Sequence, residues 1–286
     1  MPELPEVIRT AEELNVSLAG KYFLNFWISD RAKHVNIDTI PSLTKVINVD
    51  SYGKRIIFNL YHSSVGHFRM CSFLGLEGHW GWNSELPHTQ LKITLGTIGA
   101  SPRGFKFYKR ESRQLCFDDK LYYGFNKVCY TDKEYDKIFE SVGYDLIKDA
   151  DAITSEWWLK QIRNPRLSKT KQIVSYLLEQ QRFSGIGNYL KSEILYRAGI
   201  HPGRYLPDLT DEEVETLRIV TFKTIKDSYL AGGLTISSFY TPDGEPGKFE
   251  KIVYDRKGEK DPNGYTIIKE VFGDNRSTYW VKEVQK

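Results

Sequence analysis

The hydrophobic period of this chain changes twice, and each change predicts a change of secondary structure. Over residues 3–19, Val7, Ala11, Leu14 and Leu18 recur at spacings of 4, 3 and 4, which predicts a helix. Pro5 is tolerated in its first turn and Gly20 stands where its C-terminus would fall. Between residues 21 and 131 the segments Tyr22–Ile28, Lys45–Asp50, Lys54–Leu60, Leu91–Leu95, Leu115–Phe117 and Lys127–Tyr130 are short, β-rich and bounded by turn residues. Such a run predicts a two-sheet sandwich or a barrel. After residue 131 helical spacing returns in Asp132–Val142, Ser155–Gln161 (with Ser155 as its cap), Ser168–Glu179, Tyr189–Ala198 and Asp211–Leu230. Beyond Gly232-Gly233 the chain is turn-rich, notably over Pro242-Asp243-Gly244-Glu245-Pro246-Gly247. It then offers strand-like Ile252–Tyr254, Tyr265–Ile268 and Ser277–Val281. The expected organisation is an N-terminal β domain with one leading helix, a helical domain and a C-terminal β hairpin module, without internal repeats.

Its 286 residues match about two domains at roughly 150 residues each. No run of eighteen apolar residues occurs, which excludes a spanning helix, and Met1-Pro2-Glu3-Leu4-Pro5-Glu6 lacks the features of a secretory signal. The three cysteines, Cys71, Cys116 and Cys129, are far apart and form no CxxC pair. They support neither a disulfide framework nor a cysteine zinc site, and a reducing, intracellular setting is expected. The overall charge of +3 says little, but Lys160–Arg204 carries nine basic and two acidic residues. That focus suits either a polyanion partner or a solvated basic face.

Pro2 is the first candidate for chemistry. If Met1 is removed, Pro2 carries a free secondary amine. An α-amino group titrates near 7.7–8.0, against ~10.4 for lysine, so it is substantially neutral and nucleophilic at neutral pH. Attack by a secondary amine on a sugar C1′ yields an iminium that cannot discharge by losing an N–H proton. It persists as an electron sink suited to eliminating phosphates. Glu3 adjoins this amine, and on a helix Glu3 and Glu6 share a face. One carboxyl can protonate a departing base or opening sugar while the other steadies the cation. Proline and acids also favour the first turn of any helix.

The string Pro2-Glu3-Leu4-Pro5-Glu6-Val7 resembles the N-terminal signature of the formamidopyrimidine-DNA glycosylase / endonuclease VIII family. The resemblance implies that Pro2 is the Schiff-base nucleophile, Glu3 the general acid and Glu6 a second essential carboxylate. Gly53-Lys54-Arg55 resembles the family's Gly-Lys turn and marks Lys54 as its catalytic lysine. Phe73-Leu74-Gly75-Leu76-Glu77-Gly78 resembles a loop that normally carries Met where Leu76 stands, so Leu76 takes the role of filling the void left by an everted base. The family's other two fillers, an Arg and a Phe, correspond to positions within Asp119-Lys120-Leu121-Tyr122-Tyr123-Gly124. Both arginines of the family pattern are missing there, which leaves Tyr122 or Tyr123 to stack. His88 resembles a family histidine that contacts the DNA backbone.

Gln181–Pro202, containing Gly185-Ile186-Gly187-Asn188-Tyr189-Leu190, resembles the helix-two-turn-helix motif. Gly185 and Gly187 permit close backbone approach, and Asn188 and the following free N–H groups are expected to meet a phosphate. In zinc-bearing members the terminal hairpin carries four cysteines. Here those positions read Lys260, Asn263, Val281 and Val284, none of them a usual zinc ligand. The pattern resembles the zincless-finger, endonuclease VIII-like 1 type branch, and Arg276 is implied to grip phosphate beside the lesion.

The resemblance therefore implies an α+β multidomain fold: a catalytic β-sandwich with a leading helix at 1–131, a linker at 132–152, a helix-two-turn-helix domain at 153–238 and a zincless-finger hairpin at 239–286. It implies a bifunctional glycosylase/AP lyase acting by β,δ-elimination on damaged double-stranded DNA, with single-stranded DNA as an alternative. No metal, no other cofactor and no membrane partner are expected, and a monomer is the default. The short Ser237–Lys248 segment argues against a purine lid and favours oxidised pyrimidines and hydantoins. The alternatives are a catalytically silent DNA-binding member and a glycosylase specific for 8-oxoguanine or formamidopyrimidines. The compartment, nuclear or viral/cytoplasmic, is not distinguished.

Overall fold

Alternating side chains over the first half of the chain build a ladder of nine strands: β1 (Tyr22–Ile28), β2 (Val35–Asn36), β3 (Thr44–Tyr52), β4 (Arg55–His62), β5 (Gly66–Phe73), β6 (His79–Trp82), β7 (Thr89–Ala100), β8 (Lys106–Asp118) and β9 (Phe125–Cys129). The structure is a computed structural model that describes residues 2–100, 106–164, 170–234 and 241–286. The strands pair in the order β2-β9-β5-β4-β3-β1-β7-β8-β6. Five steps of that ladder separate β4 from β6, yet the Phe58 and Trp80 rings lie 5.3 Å apart, and Trp80 meets Phe117 of β8 at 5.2 Å. Such contacts require the ladder to fold back on itself, so the architecture is a sandwich and not an open sheet. The fold-over runs through β1, which pairs with β3 over only two residues and with β7 across a bulge at Phe23/Asn25. Phe23, Val46, Phe58, Met70, Trp80, Leu91, Ile93 and Phe117 fill the space between the two halves. The leading helix α1 (Leu4–Leu18) adds Val7, Ala11, Leu14 and Leu18 to the same core.

The chain divides into two compact units. One comprises Met1–Pro2, Glu6–Glu140 and Thr235–Gly247; the other comprises Glu3–Pro5, Ser141–Leu234 and Lys248–Lys286. In the first, α2 (Asp132–Phe139) starts from a capping box in which Thr131 and Glu134 satisfy each other's backbone N–H groups. The second holds α3 (Ser155–Ile162), α4 (Ile173–Leu177), α5 (Asn188–Arg197), α6 (Asp211–Leu230) and the hairpin of β12 (Ile268–Val271) and β13 (Ser277–Trp280), together with a short parallel pair, β10 (Tyr144–Asp145) and β11 (Phe183–Ser184).

Several expectations change in detail. Thr154, not Ser155, caps α3, its hydroxyl accepting from the Trp157 N–H at 3.1 Å. The helix expected over Ser168–Glu179 is described only at Ile173–Leu177, and residues 165–169 lie outside the described segments. β5 escapes the β-rich criterion because Gly66–Phe73 contains no β-branched residue. Ile252–Tyr254 forms no strand. Its three consecutive N–H groups converge on the buried Glu193 carboxylate at 2.9–3.0 Å, so none remains for a ladder.

Of the nine cations in Lys160–Arg204, six stand in ion pairs among the described residues. Arg163 pairs with Asp211, Lys171 and Arg182 with Glu179, Lys191 with Asp274, Arg197 with Glu193, and Arg204 with Glu213. Arg166 and Lys169 lie outside the described residues. Asp211, Glu213 and Asp274, from later in the chain, neutralise three of the paired cations, and Glu179 and Glu193 within the stretch pair with the other three.

Candidate active site

The start of the chain is held by the start of a distant helix. Glu3 is only 2% exposed, and its carboxylate accepts the N–H groups of Gly187 (2.6 Å), Tyr189 (2.9 Å) and Leu190 (3.2 Å). These donors open α5, where the first N–H groups have no partner inside the helix and the dipole favours an anion. Gly187, the residue before α5, has no capping side chain of its own. Two of the N–H groups expected to meet a phosphate, those of Tyr189 and Leu190, are thus given to Glu3, together with that of Gly187.

Both glycines of this turn are required by that approach. A Cβ on Gly187 would sit 2.7 Å from Glu3 Cγ and closer still to its carboxylate carbon. A Cβ on Gly185, whose φ is +119°, would meet Leu4 Cβ at 2.6 Å, and the Leu4 N–H donates to the Gly185 carbonyl at 3.0 Å.

The residue after Gly187 reaches the hairpin. Asn188 Nδ2 donates to the Ser277 carbonyl at 2.9 Å, at the start of β13. Lys191, one turn further along α5, is fully buried against Asp274, and Asp274 also accepts the Arg276 N–H at 3.1 Å. With Asn275 in the left-handed region at φ +55°, these bonds set the hairpin tip that carries the exposed Arg276. Asn188 is therefore bonded to the backbone of Ser277, the residue that follows Arg276. Lys191 and Asp274 were not singled out by the sequence reading, since nothing in their local spacing marks a pair 83 residues apart.

Within the β unit, Pro2, Glu6 and Lys54 are all buried. Glu6 lies in the first turn of α1, so Glu3 and Glu6 do not share a helical face: Glu3 precedes the helix and turns to α5. Lys54 occupies the two-residue turn between β3 and β4, where Tyr52 pairs with Arg55 and Gly53 takes φ +55°.

Two loops expected to carry the void-filling side chains meet in this unit. A Cβ on Gly75 would fall 2.7 Å from the Gly124 nitrogen and 2.8 Å from the Tyr123 carbonyl carbon, so residues 74–78 and 119–124 run in contact. The buried Asp119 carboxylate organises the second loop by accepting the Leu121 N–H at 3.1 Å and the Gly124 N–H at 2.6 Å. Its own N–H donates to the His88 carbonyl at 3.3 Å, which brings His88 alongside. The outcome is a group of apolar side chains facing solvent: Leu76 is 39% exposed and Tyr123 62%. Tyr122 differs, being half-buried at φ +59° with the Lys33 ammonium 5.8 Å from its ring centre.

The hairpin does not fit a zinc ion. Val281 is buried in an apolar cluster with Tyr196, Val253, Ile267 and Tyr279, against which Val284 packs. The Lys260 ammonium donates to Thr266 and the Asn263 side-chain amide to Asp261. A carboxylate instead closes the turn: Asp261 accepts the N–H groups of Asn263 (3.0 Å) and Tyr265 (2.7 Å) and the Tyr196 hydroxyl (2.9 Å). Although burial pushes the Asp261 pKa up, these hydrogen bonds outweigh it and hold the carboxyl below its usual range.

Among the described residues, no helix is long and apolar enough to cross a membrane. The formamidopyrimidine-DNA glycosylase N-terminal domain family matches residues 1–121, and the formamidopyrimidine-DNA glycosylase H2TH domain family matches residues 150–240. The chain is 29% identical to a formamidopyrimidine-DNA glycosylase of Halalkalibacterium halodurans, each covered in full. It is 28% identical to that of Bacillus subtilis, over 100% of this chain and 99% of the relative. Its fold is that of the MutM (Fpg) protein of Thermus thermophilus (TM-score 0.81, 24% identity, 99% and 98% of the two chains). It is also that of the Lactococcus lactis Fpg solved with DNA containing N7-benzyl-Fapy-dG (TM-score 0.83, 23% identity, both chains covered in full). Matched in order by two domain families and along its whole length by these relatives, the chain belongs to the formamidopyrimidine-DNA glycosylase family.

Proposed function

We propose that this chain is a bifunctional DNA glycosylase and AP lyase of base excision repair, acting on damaged double-stranded DNA through a Schiff base at Pro2. The observation that carries the reading is the anchoring of Glu3, the residue covalently next to Pro2, on the three N–H groups of Gly187, Tyr189 and Leu190. The same helix start bears Asn188, fastened to the strand that follows Arg276. One helix terminus thus serves both the proposed acid and the proposed phosphate contacts, which suits chemistry that needs sugar and backbone held in register.

In this mechanism the lesion nucleotide leaves the base stack, because C1′ is unreachable within it. Exposed Leu76 and Tyr123 occupy the vacated space. The Pro2 nitrogen, freed by removal of Met1, attacks C1′ and the damaged base departs with the glycosidic electron pair. Glu3 supplies the proton that opens the sugar to the iminium. Loss of the C2′ proton expels the 3′ phosphate, and a second elimination expels the 5′ phosphate. Lys54 and Glu6 serve proton transfer and charge balance in the same steps.

Membership of the zincless-finger branch belongs to the same reading; it is supported by Asp261 and the Val281 cluster standing where the sequence puts the cysteine positions of zinc-bearing members. Oxidised pyrimidines and hydantoins are the proposed substrates. The Ser237–Tyr240 part of the segment that motivated this choice lies outside the described residues, while Asp243 accepts from the Trp82 indole at 3.0 Å. The names of the relatives favour a second reading, a formamidopyrimidine substrate, and Lactococcus lactis Fpg has been solved with both N7-benzyl-Fapy-dG and an oxidised pyrimidine in the DNA.

Borohydride trapping tests the mechanism. The natural protein should form a covalent adduct with abasic-site DNA that Pro2→Gly loses, and an undiminished adduct would overturn the assignment. A panel of single-lesion duplexes and single strands separates the substrate readings.

A further inference from the structure

The sequence separates Cys71 and Cys129 by 58 residues; the sheet brings them together. They lie on the adjacent antiparallel strands β5 and β9, in a register that pairs Arg69 with Cys129, Met70 with Val128 and Cys71 with Lys127. The two cysteines are therefore diagonal neighbours on one face, since alternate residues share a side. Phe68, Met70 and Val128 turn to the opposite face and the apolar core. The cysteine face is cationic: Arg69 stands across from Cys129 and Lys127 across from Cys71. Arg69 is steadied by Asp132 at 2.8 Å and stacks 4.3 Å from the Tyr135 ring centre, both on α2.

The two thiols are not equivalent. Cys71 is fully buried, whereas Cys129 forms part of the wall of a cavity of about 670 Å³ that Asn59, His67, Arg69 and Thr131 also line. Interaction with Cys71, aided by Lys127 and Arg69, lowers the Cys129 thiol against its burial and the nearby Glu134, and the same interaction together with burial drives Cys71 up. A cavity-lining thiol lowered beside cations, with a second thiol on the same face behind it, is the arrangement that reacts with oxidants in two steps.

We propose that Cys71 and Cys129 are a peroxide-sensitive pair that closes to a cross-strand disulfide, a modification site that takes no part in the DNA chemistry. The Cys129 thiolate attacks one peroxide oxygen and the O–O bond breaks. The departing hydroxide takes the Cys71 proton and leaves as water, with Cys129 as a sulfenic acid. The Cys71 thiolate then attacks Cys129 Sγ, the S–O bond breaks, and the hydroxyl leaves with a proton as a second water. Two thiols lose two electrons and two protons, and one peroxide becomes two waters. Diagonal α-carbons lie roughly 7–8 Å apart, beyond the roughly 4.4–6.8 Å that disulfides usually span, so closure must draw the two strands together and a thiol reductant should reverse the strained bridge readily. The bridge would join the strands that adjoin the Leu76 and Tyr123 loops.

The test is peptide mapping of the reduced full-length protein after brief treatment with hydrogen peroxide at neutral pH. A Cys71–Cys129 cross-link that dithiothreitol removes should form at least about tenfold faster than any oxidation of Cys116, whose thiol is pushed up by burial. In Cys71→Ser, dimedone should capture a sulfenic acid at Cys129; in Cys129→Ser, Cys71 should stay unreacted. Oxidation of Cys116 at a rate equal to that of the pair, or loss of the Cys129 thiol with no cross-link, would refute the proposal. If either variant fails to fold, the rate comparison within the unmodified sequence still decides.

Discussion

Replacing Gly187 by alanine tests the central contact with a single methyl group. Gly187 has φ −126°, so alanine strains no backbone there, and the whole effect comes from space. The new Cβ would lie 2.7 Å from Glu3 Cγ, whereas carbon atoms settle at about 3.5–4.0 Å. The Glu3 side chain must therefore withdraw by about 1 Å, which takes its oxygens out of reach of donors now at 2.6, 2.9 and 3.2 Å. Overpacking and the lost charge-assisted bonds together should cost about 2–4 kcal/mol of stability. A displacement of that size in a positioned acid should lower the single-turnover rate of base release by about 10²-fold. Gly264→Ala serves as the control. Its Cβ meets nothing within 4 Å and its φ is +86°, so it should cost about 1–2 kcal/mol through backbone strain and leave base release unchanged. The assay is quenched-flow base release from a lesion duplex with parallel thermal unfolding. If Gly187→Ala releases base within about threefold of the parent and unfolds at the same temperature, the glycine is not there to admit Glu3 and the reasoning fails.

Three further outcomes are expected. Glu193→Ala strands the N–H groups of Ile252, Val253 and Tyr254 in the interior, and should lower stability by about 3–5 kcal/mol in denaturant titrations; a loss under about 1 kcal/mol would contradict it. Tyr123→Ala removes an exposed ring, so stability should hold within about 0.5 kcal/mol while affinity for lesion duplex falls by about 1–3 kcal/mol, measured by fluorescence anisotropy. Burial, with the neighbouring Cys71, pushes Tyr135 up to about 12; burial, with the hydrogen bond to Asp261, does the same to Tyr196. Below the ordinary tyrosine value near 10 both states keep these protons. From there to about 12 only the folded state keeps them, so stability should fall as pH rises through that window. Tyr135→Phe and Tyr196→Phe should each flatten the alkaline limb of the stability profile.

Local pattern was enough for much of the architecture, because period and capping act within a turn or two. The Val7-Ala11-Leu14-Leu18 stripe, the alternation in Tyr22–Ile28 and the long helix at Asp211–Leu230 each carry their own conformational signal, and those elements form over nearly the same residues. Signals failed where a remote partner supplied the decisive bond. Ile252–Tyr254 has strand composition, but Glu193, about sixty residues away, claims its N–H groups. The cations of Lys160–Arg204 form a block in sequence, but Asp211, Glu213 and Asp274 neutralise several of them.

The same division runs through the candidate site. The sequence by itself determined which groups are present: a proline followed by an acid, a glycine-bracketed helix start, and a hairpin without metal ligands. Tertiary structure alone decided where Glu3 points, that Asn188 and Lys191 secure the strand beside Arg276, and that Cys71 and Cys129 share one face of adjacent strands. Side-chain chemistry is written residue by residue, but a hydrogen bond or a thiol contact depends on distances of about 3–4 Å. Those distances are set only when strands and helices far apart in sequence share one core.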